Sequence, residues 1–131
     1  MTPADLALAS RAVACRRWRW MPGMRRFDRY GAARLRASST RTTWMSEPCE
    51  PGDLTAVSIP DLRDPATLGC LLALVRKAYA PNGGTVSCTH WVEPHAALWR
   101  VWSGIVPGRA EVHGEAATEA EALVAALEAA P

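Results

Sequence analysis

The stretch from Asp61 to Ala80, DLRDPATLGCLLALVRKAYA, has one economical structure, and it constrains everything around it. Asp64 offers a carboxylate to the free N–H groups of a first helical turn, and Pro65 suits the first helical position because it has no N–H to waste there. Leu68, Leu71, Leu72, Val75 and Tyr79 then recur at helical spacing. Pro81, Asn82, Gly83 and Gly84 end the helix, since glycine and proline in a helix interior cost roughly 1 and 3 kcal/mol. A helix with such a stripe needs a second layer to cover it.

The following residues supply that layer. Thr85 to Trp91 alternates, with Val86, Cys88 and His90 on one side and Ser87, Thr89 and Trp91 on the other. Glu93, Pro94 and His95 turn the chain into Ala97 to Val106, which is rich in strand formers, and Pro107 and Gly108 turn it again into Arg109 to Gly114. Turns this short imply an antiparallel meander. A last helix runs from Glu119 to Ala129, opened by a Thr118-x-x-Glu121 capping box and striped by Ala120, Leu123, Val124 and Leu127. The expected fold class is therefore α+β: a helix-strand-strand-strand-helix, two-layer domain over residues 57–131, with both helices on one face of a three-stranded antiparallel sheet.

Residues 1–56 read differently, as an N-terminal helix and an Arg/Trp-rich irregular extension, docked or partly disordered. Thr2, Pro3 and Asp5 resemble a capping box, and Leu6, Ala9 and Val13 give a modest stripe. The run LALASRAVAC is expected to be part of this helix and not a secretion signal, because Asp5 precedes it and Arg11 interrupts it. RRWRWMPGMRRFDRY interleaves arginine with Trp18, Trp20, Phe27 and Tyr30 around a Met-Pro-Gly-Met turn. That mixture suits stacking on nucleic-acid bases, with guanidinium groups on phosphates, and equally suits docking of the indoles; docking is preferred because large aromatics usually bury internally. A short strand near Ala33 to Arg36, a polar SSTRTT loop and a linker punctuated by Pro48, Pro51, Gly52 and Pro60 complete the segment.

A net charge of +2 conceals a division. Residues 1–46 hold ten arginines against Asp5 and Asp28, a net of about +8, while residues 47–131 hold five basic and eleven acidic side chains, a net of about −6. Such a division points to an acidic partner for the front, to attraction between the halves, or to a codon bias that favours arginine. The nucleic-acid reading rests on Arg16, Arg17, Arg19, Arg25 and Arg26. Four scattered cysteines do not make a secreted disulfide scaffold, and the expectation is a cytoplasmic protein with reduced thiols, no membrane span and no cofactor.

Candidate chemistry is sparse. Cys88, His90, His95 and His113 are the only metal-ligand types near one another, without the compact paired spacing of a zinc site, so no metal is expected. Cys88 with His90 lacks an orienting third group, and Glu119, Glu121 and Glu128 read as a solvated helix face, so no catalytic residues are assigned. Binding is assigned instead to the sheet face away from the helices, where Trp91, Arg100, Trp102 and Arg109 converge, with Glu111 and His113 beside them; the ligand expected there is an unknown protein partner, or the chain's own front segment.

The segments DPATLGCLLALVRKAY and GEAATEAEALVAALEAA resemble those of small proteins encoded by bacteriophages and prophages, and WRWMPGM looks like a motif found upstream in some of them. The order of elements is similar to that of the phage ABA sandwich domain group. The resemblance implies a phage-related accessory protein in a bacterial host cell and carries over no active site. The same order also occurs in double-stranded RNA-binding domains, which place lysines at the start of the final helix; here Glu119 and Glu121 occupy that turn and would repel phosphates.

Overall fold

A computed structural model gives three helices and two antiparallel sheets, and describes residues 1–28, 30–37, 39–47, 58–81, 84–94, 96–104 and 110–131. In chain order the elements are α1 (Pro3–Ala14), β1 (Arg25–Asp28), β2 (Gly31–Ala37), β3 (Thr42–Glu47), β4 (Ile59–Pro60), α2 (Pro65–Tyr79), β5 (Val86–Glu93), β6 (Ala96–Ser103), β7 (Glu111–Ala116) and α3 (Glu119–Glu128). They fall into two compact units: a front unit of Met1–Val13 with Arg19–Cys70, and a rear unit of Ala14–Trp18 with Leu71–Pro131. This division falls within α2 and not at residue 57.

The rear unit contains the expected meander. Its sheet has the order β5-β6-β7, antiparallel throughout, and α3 packs across all three strands. The capping box of α3 is formed, with Thr118 Oγ1 accepting the Glu121 N–H at 3.2 Å and Glu121 returning a carboxylate to the Thr118 N–H at 3.2 Å. Leu123, Val124 and Leu127 of α3 are buried with Val86 and Val101 of the sheet. Gly114 lets the layers approach: a Cβ there would strike the Ala122 carbonyl oxygen and come within 2.8 Å of Ala126 N. The Tyr79 hydroxyl donates to Ala126 O at 2.9 Å, tying α2 to α3. On α2 the fully buried positions are Thr67, Leu71 and Val75, joined by Leu74 and Ala78, whereas Leu68, Leu72 and Tyr79 are half-buried.

The front unit corrects the sequence reading. Where one short strand near Ala33 to Arg36 was expected in an irregular segment, the described residues of that segment supply β1, β2 and β3 of a four-stranded sheet, which β4 completes in the order β3-β2-β1-β4. Met21 to Met24 form a reverse turn, closed by Met24 N–H donating to Met21 O at 3.1 Å, with Gly23 at φ 100° in the conformation that the third position of a Pro-Gly turn requires. That turn delivers Met24, wholly buried, to the start of β1. At the far end Asp28 Oδ1 accepts the Tyr30 N–H at 2.8 Å and Gly31 takes φ 116°, so β1 returns as β2. Thr42 and Thr43, the last two residues of the run expected to form a polar loop, open β3, which pairs with β2 from Ala37↔Thr42 to Ala32↔Glu47.

Candidate functional site

Strand alternation gives the rear sheet two distinct faces. Val86, Cys88 and His90 on β5 share a face with Trp99, Val101 and Ser103 on β6, and Gly114 on this face receives α3. The opposite face carries Ser87, Thr89 and Trp91 beside Trp102, Arg100 and Leu98. There the Thr89 hydroxyl accepts both indole N–H groups, from Trp91 at 2.9 Å and from Trp102 at 3.1 Å. Its two lone pairs thereby fix two rings with one atom. The Arg100 guanidinium lies 5.4 Å from the centroid of the Trp91 ring and pairs with Glu115, its neighbour across the ladder. Trp91 remains 47% exposed and Val112 53%. Trp91, Arg100 and Trp102 are therefore brought together, while Arg109 lies outside the described residues.

Glu111 and His113 do not join this cluster. A register shift between Val101 and Trp102 places Val112 opposite Trp102, and sets Glu111 opposite Ser103 on the α3 side. His113 stacks on Tyr79, with ring centroids 3.8 Å apart, and its Nε2 lies 2.6 Å from Ser103 Oγ. A serine hydroxyl against an imidazole is a contact that sequence spacing did not reveal, because it depends on the bulge. It lacks the rest of a nucleophilic site: among the described residues no carboxylate binds the other ring nitrogen to orient it. Burial, assisted by Glu119, pushes the Cys88 thiol up to about 11, which keeps it protonated and poorly nucleophilic at neutral pH. Among the described residues no group of three or more His, Cys, Asp or Glu side chains is placed to hold a metal ion; His95 lies outside them.

The arginines of the front segment are largely engaged within the protein. Arg17 donates to the Pro131 carbonyl oxygen. Arg25 bonds Glu47 and Asp61, each at 2.9 Å. Arg26 pairs with Asp28 at 3.2 Å and lies 4.1 Å over the ring of Trp44, whose edge meets Trp20 at 5.1 Å. Arg16 and Arg19 are exposed.

Arg34, which the sequence reading left unassigned, is the centre of this arrangement. It reaches Glu47 at 2.8 Å, both Asp64 oxygens at 2.8 and 3.0 Å, and Gly23 O at 2.7 Å. Asp64 also accepts from the backbone N–H and the hydroxyl of Thr67, and Thr67 in turn accepts the Arg25 N–H at 2.8 Å. Burial raises the Asp64 carboxyl, but the hydrogen bonds from Arg34 and Thr67 outweigh it and hold the group at about 2. Hydrogen bonds from Arg34 likewise lower Glu47. This network draws its cations from residues 25 and 34 and its anions from residues 47, 61 and 64, so within the front unit the charge division takes the form of internal attraction. The signal for it was the asymmetry itself.

No protein-family model, curated protein or solved structure matches this chain. Among the described residues no helix is long and apolar enough to cross a membrane.

Proposed function

We propose that this chain is a small phage-type accessory protein of the bacterial cytoplasm that acts through protein contacts, without catalysis, and that the rear-sheet face carrying Trp91, Arg100 and Trp102 is its binding surface. The observation that supports this most is the shared Thr89 hydroxyl. It holds two indoles in fixed orientations, so little rotamer entropy is left to lose when a partner covers them. Tryptophan and arginine are also the residue types that most often dominate binding energy at protein interfaces. The phage assignment rests on the resemblance at DPATLGCLLALVRKAY and GEAATEAEALVAALEAA.

The nucleic-acid reading is weaker, because Arg17, Arg25 and Arg26 are engaged internally and only Arg16 and Arg19 of its five residues are exposed. The test is capture of a partner from infected or lysogenic cells by wild type and by a Trp91→Ala, Arg100→Ala double variant, followed by titration of the identified partner. The double variant is expected to bind at least about tenfold more weakly, a loss of about 1.4 kcal/mol, with its melting nearly unchanged. Equal binding by both proteins defeats the proposed surface. Binding of long DNA that falls steeply with salt and weakens in an Arg16→Ser, Arg19→Ser variant would favour the alternative.

A further inference from the structure

The two edges of the rear sheet are not alike. β7 carries Glu111 and Glu115 and is set off from β6 by a register shift, both of which discourage an added strand. β5 has neither protection. It pairs with β6 over eight consecutive positions without a shift, from Val86↔Ser103 to Glu93↔Ala96, and Val86 to Val92 contain no charge, proline or glycine. Among the described residues, the only backbone group of β5 bonded outside the ladder is the Val86 carbonyl, which accepts from Arg76 at 2.9 Å.

Trp91 and Val92 are adjacent in this strand and therefore point to opposite faces of the sheet, yet they are 47% and 76% exposed. A ligand lying on either face covers one of them. A strand added along the edge of β5 touches both.

We propose that β5 is a strand-addition edge whose occupant is β5 of a second copy of this chain, giving a two-fold dimer with a continuous six-stranded sheet. The sequence of the strand is self-complementary for this pairing. Antiparallel alignment with Thr89 opposite Thr89 of the second copy keeps each face in register, because residues directly opposite share a face. Val86 then lies beside Val92 of the second copy, Ser87 beside Trp91, and Cys88 beside His90, so each exposed apolar side chain gains a neighbour. No like charges meet, as the paired stretch holds none. A two-fold axis also makes the contact close on itself, which limits assembly to a dimer. This inference does not depend on the proposed function; if both hold, the dimer places two copies of the Trp91, Arg100 and Trp102 cluster on one continuous face.

The test is the oligomeric state of the full chain by light scattering and sedimentation from about 1 to 100 µM, a range matched to dissociation constants of weak and moderate dimers. Wild type is expected to dimerise. Val92→Lys, at an exposed edge position, should raise the dissociation constant at least about tenfold, while Met45→Lys, at an exposed position of β3, should not. In wild type, amide exchange in β5 should slow as concentration rises and that of β7 should not, a readout that stands even if Val92→Lys fails to fold. A monomer at every concentration overturns the proposal. So does a dimer that Val92→Lys leaves intact, or one whose formation leaves β5 exchange unchanged.

Discussion

The front and rear units both build an antiparallel sheet, but they hold it by different physics. In the rear unit, Leu123, Val124 and Leu127 press on Val86 and Val101, and a bare Gly114 lets the backbones close. In the front unit, Ala32, Ala33 and Leu35 of β2 are buried, as are Met24, Ile59 and Leu62, but beside β2 Arg25 and Arg34 are also tied to Glu47, Asp61 and Asp64. Apolar packing responds to volume and is indifferent to acid and salt. An ion-pair network with side chains roughly one-fifth exposed responds to both.

The sharpest test of the rear unit is Leu123→Ala, which removes a wholly buried side chain beneath α3. It should cost about 2 to 5 kcal/mol in urea denaturation, the usual range for a leucine cavity. The loss should be the same at low and high salt. A salt-dependent loss would mean that charge, and not volume, holds this layer, and the contrast between the units would fail.

Asp64→Asn makes the complementary cut in the front unit. It keeps the shape but removes the charge that accepts two guanidinium bonds, and should cost about 2 kcal/mol at pH 7, as expected for charge-assisted hydrogen bonds in a partly exposed setting. The folded carboxyl titrates at about 2 against an ordinary 3.8, so its contribution is complete above the ordinary value and is lost as pH falls through the folded one. The gap between wild type and Asp64→Asn should therefore shrink between about pH 4 and pH 2. A gap that stayed constant down to pH 2 would remove the carboxylate from the explanation.

The same contrast decides what could be read from the sequence. The rear unit was legible because its signals are local: a Thr118-x-x-Glu121 box, leucines at helical spacing, and alternation along VSCTHWV. What escaped there was the bulge at Val101 and Trp102, which moves Glu111 and His113 to the other side and brings Ser103 to His113. One unpaired residue leaves no mark on periodicity. In the front unit the local signals were read, the Thr2 and Asp5 cap of α1 and a strand near Ala33 to Arg36, but the sheet as a whole was not, because its signals are distant. Arg34 meets Glu47 across 13 positions and Asp64 across 30, and Arg25 meets Asp61 across 36. Its strands RRFD, GAARLRA and TTWMSE dilute the apolar alternation with guanidinium groups that find their partners only after folding. Met-Pro-Gly-Met was recognised as a turn, but nothing local announces that a turn begins a sheet.

The smallest effect separates the units at the alkaline end. Cys88 faces the α3 side of the rear sheet, where burial, with Glu119 adding to it, raises its thiol from 9.0 to about 11. A raised thiol means that the folded state keeps its proton longer than the unfolded one. The associated stability is therefore complete below pH 9 and is lost as pH climbs towards 11. Integrated to pH 10, the loss is on the order of 1 kcal/mol, and burial raises Tyr79 in the same direction. Cys88→Ala removes the thiol's share, so its denaturation midpoint should fall less steeply than that of wild type between pH 9 and 10, while the two run parallel between pH 4 and 2, where Asp64 titrates in both. If Cys88→Ala instead changed the acid limb and left the alkaline limb as steep as before, the assignment of acid sensitivity to the front unit and alkaline sensitivity to the rear would be wrong.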